Sequence, residues 1–189
     1  MKIMNLQWLY FTLFISLLQM VGIATISASQ APWISKIKPL TGSTLTVTPE
    51  NAHQSLRRAI KSAKKSILME IYHLSDPDLI QDLIDAKKRG CAVQIIFDVR
   101  ALTNPKYMDF FKQLAQAGVG VVQSTSKFSI THSKTFLIDG DLLFVSTMNF
   151  VGHFQNMRDV GIFTREPEVI RDWVTLFKAD LKNAKDQSA

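Results

Sequence analysis

The sequence predicts an α/β domain in which a mixed β-sheet is sandwiched between helices. Three observations predict it. From Leu45 onward, short apolar runs alternate with segments of helical period. The runs are apolar almost throughout, as expected of strands covered on both faces. Asp139-Gly140 sits between two such runs and is a hairpin signal, which demands antiparallel neighbours late in the chain. Leu45–Thr48 reads as a first strand. Thr48 is placed to cap a helix with Pro49 at its first position, and Ala52, Leu56, Ala59, Ile60 and Ala63 then recur at helical spacing. Ser66–Tyr72 is a buried strand with Glu70 inside it. Asp76-Pro77 opens a second helix, with Leu79, Ile80, Leu83 and Ile84 on one face and Gly90 as its stop. Cys91–Val99 is the next strand. Asn104-Pro105 opens a third helix, closed by Gly118, and Val119–Val122 follows as a strand. Thr131–Ile138 and Leu142–Val145 are the hairpin arms, and Val160–Phe163 is the last strand. Pro167–Asn183 is a final amphipathic helix with Val169, Ile170, Trp173, Leu176 and Phe177 inward.

The length of 189 residues fits one domain after an N-terminal extension. Residues 1–28 carry one charge, Lys2, and no acid. A mostly apolar run from Leu6 to Ile26 is followed by the small residues Ser27-Ala28-Ser29. These are the parts of a secretory signal peptide. The run is also nearly long enough to span a bilayer. A cleaved export signal is the favoured reading and an uncleaved anchor over 6–26 the alternative. Residues 29–43 read as a Pro/Ser/Thr-rich linker and 44–185 as the catalytic domain. Export puts the domain in the periplasm or outside the cell, where a chain with the single thiol Cys91 cannot mispair within itself.

With 47% hydrophobic and 20% charged residues, the chain is neither disordered nor a coiled coil. One cysteine excludes a disulfide framework and any multi-cysteine metal cage. The net charge of +6 suits phosphate partners, either nucleic acid or an anionic membrane surface. The basic runs Lys64-Lys65 and Lys87-Lys88-Arg89 also fit ordinary helix ends.

The chemistry concentrates between Thr131 and Asp159. In a strand, side chains two residues apart share a face, so His132 and Lys134 point the same way. An imidazole beside a fixed ammonium suits attack on phosphorus: the ring is nucleophile or base, and the cation stabilises charge growing on the non-bridging oxygens. Asp139 is placed to anchor the turn. Ser146-Thr147-Met148-Asn149, just past a strand, offers hydroxyl and amide donors for the same oxygens.

His132-x-Lys134-x4-Asp139, followed by Ser146-Thr147-x-Asn149, resembles the HKD signature of the phospholipase D superfamily. The similarity in element order runs from about Thr44 to Lys182. A single motif copy and an N-terminal apolar segment look most like the small bacterial Nuc-type endonucleases, and Zucchini-type mitochondrial phospholipase D proteins are also similar. The resemblance implies a phospholipase D-like α/β/α fold. It implies that His132 forms a phosphohistidine or acts as general acid, that Lys134, Thr147 and Asn149 bind the phosphoryl oxygens, and that Asp139 is structural. Asp159 stands near the family's acidic residue, usually Glu, that hydrogen-bonds the histidine. Ser146 replaces the usual glycine. The family reaction uses two histidines, so one motif implies a homodimer sharing one site. It needs no metal and no cofactor.

The remaining candidates read as structural. His53 fits a helix surface. His73 ends a strand, where a structural role is favoured over lining the cleft, and His153 follows Asn149 closely, where a structural role is favoured over touching substrate. No metal-ligand spacing joins them. Glu70 reads as a buried, hydrogen-bonded acid. Phe128, Phe150 and Phe154 read as core or rim, and Cys91 as a small buried hydrophobe. The expected function is a low-specificity endonuclease on DNA or RNA. The alternatives are a phospholipase D acting on phosphatidylcholine-like lipids and a membrane-anchored nucleic-acid or lipid binding module with an inactive site.

Overall fold

The computed structural model describes residues 42–98, 100 and 105–186. The N-terminal segment 1–28, most of the linker and Asn104 therefore lie outside the described residues. In chain order the elements are β1 (Thr44–Val47), α1 (Ala52–Ser62), β2 (Ser66–Ile71), α2 (Pro77–Lys88), β3 (Ala92–Phe97), α3 (Pro105–Gln116), β4 (Gly120–Gln123), β5 (Lys134–Ile138), β6 (Leu142–Ser146), a 3-10 turn at Phe154–Asn156, β7 (Val160–Thr164) and α4 (Pro167–Asp186). No described helix is long and apolar enough to cross a membrane.

The seven strands form one mixed sheet in the order β1-β7-β6-β5-β2-β3-β4. β2, β3 and β4 run parallel. β5, β6, β7 and β1 are joined antiparallel, and β5 meets β2 antiparallel through Ile71 opposite Lys134. One face packs Leu56, Ile60, Leu79, Leu83 and Leu114 of α1, α2 and α3 against Ile67, Met69, Phe136 and Phe144. The other packs Ile170, Trp173 and Phe177 of α4 against Ile96, Leu137 and Leu143. The sandwich expected from the sequence is therefore present, and burying both faces explains why the strands lack polar alternation.

Local chemistry places several boundaries. The Asp76 carboxylate accepts the Leu79 N–H at 2.8 Å, which caps α2 ahead of Pro77. Asp139 and Gly140 both have positive φ, 54° and 74°, as the tight turn between β5 and β6 requires. The Asp139 carboxylate also accepts the N–H groups of Lys64 at 3.0 Å, Lys65 at 2.7 Å and Ser66 at 2.9 Å, tying the turn to the start of β2. Burial works against that charge, but the three donors hold its pKa below the usual carboxylate range. Asp139→Ala should cost about 2–3 kcal/mol of stability by removing charge-assisted bonds. Because the folded pKa is depressed, the stabilisation is present above the ordinary carboxylate pKa and is lost as pH falls through the lowered value. Denaturant melts of both proteins at pH 7 and pH 3 check this: the gap between them should narrow in acid.

Three boundaries or faces differ from expectation. α1 is capped at Asn51 rather than Thr48. The Thr48 hydroxyl is already engaged, donating to the Met157 carbonyl at 2.8 Å and accepting the Asp159 N–H at 2.7 Å. β5 begins at Lys134, not Thr131. Thr131 is drawn away from a strand partner by its N–H bond to Asp98. Leu176 is 55% exposed, because the buried stripe of α4 runs through Ile170, Trp173 and Phe177 at helical spacing and leaves it to the side.

Candidate active site

Three chain segments converge at the C-terminal end of β2. The Tyr72 N–H donates to the Ser133 carbonyl at 2.9 Å, extending the β2–β5 pairing by one residue. The Phe150 N–H donates to the His73 carbonyl at 2.9 Å, which brings the segment after β6 to the same place. The carboxyl ends of strands are where open α/β sheets leave a crevice.

His132 precedes the strand proper and is exposed. Its backbone is held from both sides. On one, the Thr131 N–H donates to the buried Asp98 carboxylate at 2.7 Å. On the other, the Lys134 ammonium donates to the His132 carbonyl at 2.7 Å. The His132 ring meets the edge of Tyr72 at 4.7 Å between centroids, and the Lys134 ammonium lies 5.3 Å from the same Tyr72 centroid. Imidazole and ammonium thus both meet the Tyr72 ring. His132 lies outside the strand, so tertiary contacts rather than strand alternation bring the two groups to that ring.

Lys134 is only 3% exposed. Burial pushes its pKa below the usual lysine range, and the nearby Asp159 carboxylate opposes that shift. Asp98 anchors the approach to His132. Burial raises its pKa, but the Arg100 side chain and the N–H groups of Thr131 and Arg100 more than offset this and keep it a carboxylate.

The downstream motif residues divide into two groups. Ser146 is structural: its hydroxyl donates to the Lys134 carbonyl at 3.1 Å. Its partner across the β6–β7 ladder is Gly161, where a Cβ would lie 2.9 Å from the Ser146 Cβ and 2.4 Å from the Phe144 ring. A glycine at 161 thus leaves room for the serine at 146. Asn149 is half-buried, and its Oδ1 is buried with no hydrogen-bond partner among the described residues. An orphaned buried polar atom is costly in an ordinary core and common where a ligand completes the bonding. Rotation of the amide presents either its oxygen or its NH2 to the same space.

Asp159 does not hydrogen-bond His132 among the described residues. Its Oδ1 accepts the Thr147 hydroxyl at 2.8 Å. Thr147 in turn accepts the Val160 N–H at 3.2 Å, and its own N–H donates to the Val160 carbonyl at 3.0 Å. Thr147 and Asp159 therefore bond each other, and the Asp159 charge acts on Lys134.

Several residues that build this centre lie outside the motif. Tyr72 bridges His132 and Lys134. His73 stacks on Tyr72 at 4.2 Å and meets Tyr107 at 4.9 Å. The available signal was that Tyr72-His73 and Asp98 stand at the carboxyl ends of β2 and β3. His53 instead bonds Asp76 at 3.2 Å, His153 is exposed on the 3-10 turn, and Phe150 and Phe154 are core while Phe128 is exposed. Cys91 is buried, its thiol donating to the Ala63 carbonyl. His53, Asp76 and Asp78 bring three ligand-type atoms within 4.8 Å of one another. Their oxygens already serve Leu79 and Arg57, so capping and ion pairing account for the group.

Comparison with known proteins agrees with this architecture. The family model described as cardiolipin synthase, PLD-like domain, matches residues 56–181. Cardiolipin synthase A of Pectobacterium carotovorum is 34% identical over 104 residues, covering 53% of this chain and 21% of that protein. Cardiolipin synthase A of Yersinia pseudotuberculosis is 30% identical over 141 residues, covering 72% of this chain and 27% of that protein. The chain thus spans about a quarter of the length of these curated relatives. Among solved structures, the phospholipase D family member Nuc from Salmonella typhimurium is 26% identical with a TM-score of 0.68, over 75% of this chain and 95% of that one. NucT from Helicobacter pylori has the same TM-score at 24% identity, over 75% of this chain and 96% of that one. With its sheet order, its His132–Lys134 centre and a family match across most of the described residues, the chain belongs to the phospholipase D-like domain family.

Proposed function

We propose that the protein is a phosphodiester hydrolase that works through a phosphohistidine on His132, without metal, and cleaves nucleic acid with little sequence preference. One observation carries the reading: His132 and Lys134 converge on the Tyr72 ring at the open end of β2. In the first step an imidazole nitrogen of His132 attacks phosphorus. The bond to the leaving oxygen breaks, and that oxygen takes a proton from a second, cationic imidazole. Water then attacks the phosphohistidine, losing its proton to the second imidazole, now neutral, and releasing His132. Lys134, Thr147 and Asn149 meet the charge that develops on the non-bridging oxygens. An ammonium and an amide placed there do the work that a divalent cation does elsewhere.

A twin subunit is the proposed source of the second imidazole. An unusual surface supports it. Leu45, Val145, Val160 and Ile162 are 57%, 44%, 45% and 39% exposed. They sit on the sheet face that α4 leaves bare, with Ile162 opposite both Leu45 and Val145. Apolar neighbours of this kind mark interaction surfaces, and the patch borders Thr147 through the Val160 backbone. A two-fold contact over it would hold two copies of the chain together. The apolar run over 6–26 supports export by a signal peptide or retention as a membrane anchor.

The relatives named cardiolipin synthase favour a second reading, hydrolysis of phospholipid. Side-by-side assays on single-stranded DNA, plasmid and phosphatidylcholine vesicles, all in excess EDTA, decide between them. Nucleic-acid cleavage that persists in chelator is the expected result. Loss of activity in EDTA would remove the metal-free mechanism, and lipid hydrolysis alone would promote the second reading.

A further inference from the structure

Beside the proposed phosphate site stands a column of rings that the reaction itself does not use. It starts at Tyr72, next to His132 and Lys134, continues through His73 at 4.2 Å and 25°, and ends at Tyr107 at 4.9 Å and 32°. The last ring comes from the first turn of α3, a different element from the other two. All three residues are half-buried. The aromatic packing within the fold behaves otherwise: Phe136, Phe144 and Phe163 contact one another at 4.5–6.0 Å and are buried. A column that keeps solvent-facing surface while touching the nucleophile is therefore not a piece of core.

Resting on the phosphodiesterase reading above, we propose that the Tyr72–His73–Tyr107 column is a stacking site for an unpaired nucleobase flanking the scissile phosphate. The chemistry selects the ligand class. Ring faces and edges gain from contact with another flat aromatic system, and a diacylglycerol offers none. A base inside a duplex already has both faces covered by its neighbours, so only a single strand or a splayed-out nucleotide can occupy such a site. Burial, then the charges of Lys134 and His132, lower the pKa of His73, with Asp98 opposing. The ring is therefore neutral near pH 7 and adds a π surface to the column rather than a third cation. Phosphate is gripped by Lys134, while the base rests on the rings a few ångströms away. This division holds a single strand without reading its sequence.

The test uses Tyr107, which lies outside the phosphate-binding group. Full-length wild type, Tyr107→Ala and Tyr107→Phe are assayed on a dye-labelled single-stranded oligonucleotide and on the same strand carrying a stable abasic run. Tyr107→Ala should raise KM on the normal strand about tenfold and leave cleavage of the abasic strand unchanged. Tyr107→Phe, which keeps the ring, should match wild type. Equal weakening on both strands, or no weakening on either, overturns the stacking site while leaving the nuclease reading intact. Wild-type protein that cleaves neither strand but hydrolyses vesicles overturns both.

Discussion

His132→Ala should lower turnover about 10⁴-fold or more while the domain stays folded. The size follows from the role: without the imidazole no covalent intermediate forms, and the remaining groups only bind phosphate. The small effect on folding follows from position. His132 is exposed, and among the described contacts its ring meets only Tyr72. Its backbone is fixed by Asp98 and Lys134 through Thr131 N–H and the His132 carbonyl, neither of which the substitution removes. Loss of one edge contact at the surface costs no more than about 1 kcal/mol. The same variant tests the shared site. Mixed one to one with wild type and allowed to exchange subunits, random pairing leaves about a quarter of the dimers with two imidazoles. Activity per total protein should then fall to about a quarter of wild type, where independent sites would give about half. Residual turnover of His132→Ala within tenfold of wild type would remove it as the nucleophile.

Part of this centre was legible because its signals are local. Asp76-Pro77 and Asp139-Gly140 mark a helix start and a turn through backbone chemistry that needs no distant partner, and both stand where the sequence placed them. His132-x-Lys134 was legible as a motif, but its meeting at one ring rests on tertiary contacts, since β5 starts only at Lys134. What was not legible depends on which strands become neighbours. Nothing near Tyr72 says that it will face His132, since their meeting requires β2 to pair with β5 in the register that sets Ile71 opposite Lys134. Asp98 ends an apolar strand and looks like any loop-starting acid until Thr131 is brought to it. Pro49 makes Thr48 look like a helix cap, yet its hydroxyl spans to Met157 and Asp159 across more than a hundred residues. Asp159 stands near the acid that the family resemblance pairs with the histidine, and in this fold its carboxylate accepts the Thr147 hydroxyl.

Glu70→Gln should stabilise the protein above neutral pH and leave it almost unchanged near pH 5. Glu70 lies in β2, opposite Ile96 and Thr135, on the face covered by α4, and is 4% exposed. Burial, reinforced by the charge of Asp180, raises its pKa from 4.5 to about 7, and a hydrogen bond from Ser133 only partly opposes the rise. The consequence is set by linkage. Between pH 4.5 and about 7 the folded state holds a proton that the unfolded chain has released. Stability therefore falls as pH rises through that window and levels off above it. A shift of this size corresponds to roughly 2–3 kcal/mol once residual solvation is allowed for. Glutamine keeps the shape and an acceptor for Ser133 but never ionises, so the variant lacks this slope. Urea melts at pH 5, 6, 7 and 8 should show the two proteins together at the acid end and separating steadily toward pH 8. A gap that does not change with pH would mean that Glu70 ionises in the folded state at the same pH as in the unfolded chain. Ser133 lies between His132 and Lys134, and its hydroxyl also meets Thr135, which accepts the Trp173 indole N–H at 3.1 Å. Glu70 is thus linked through Ser133 to the segment that carries His132 and Lys134, and the Ser133–Thr135–Trp173 chain ties that segment to α4.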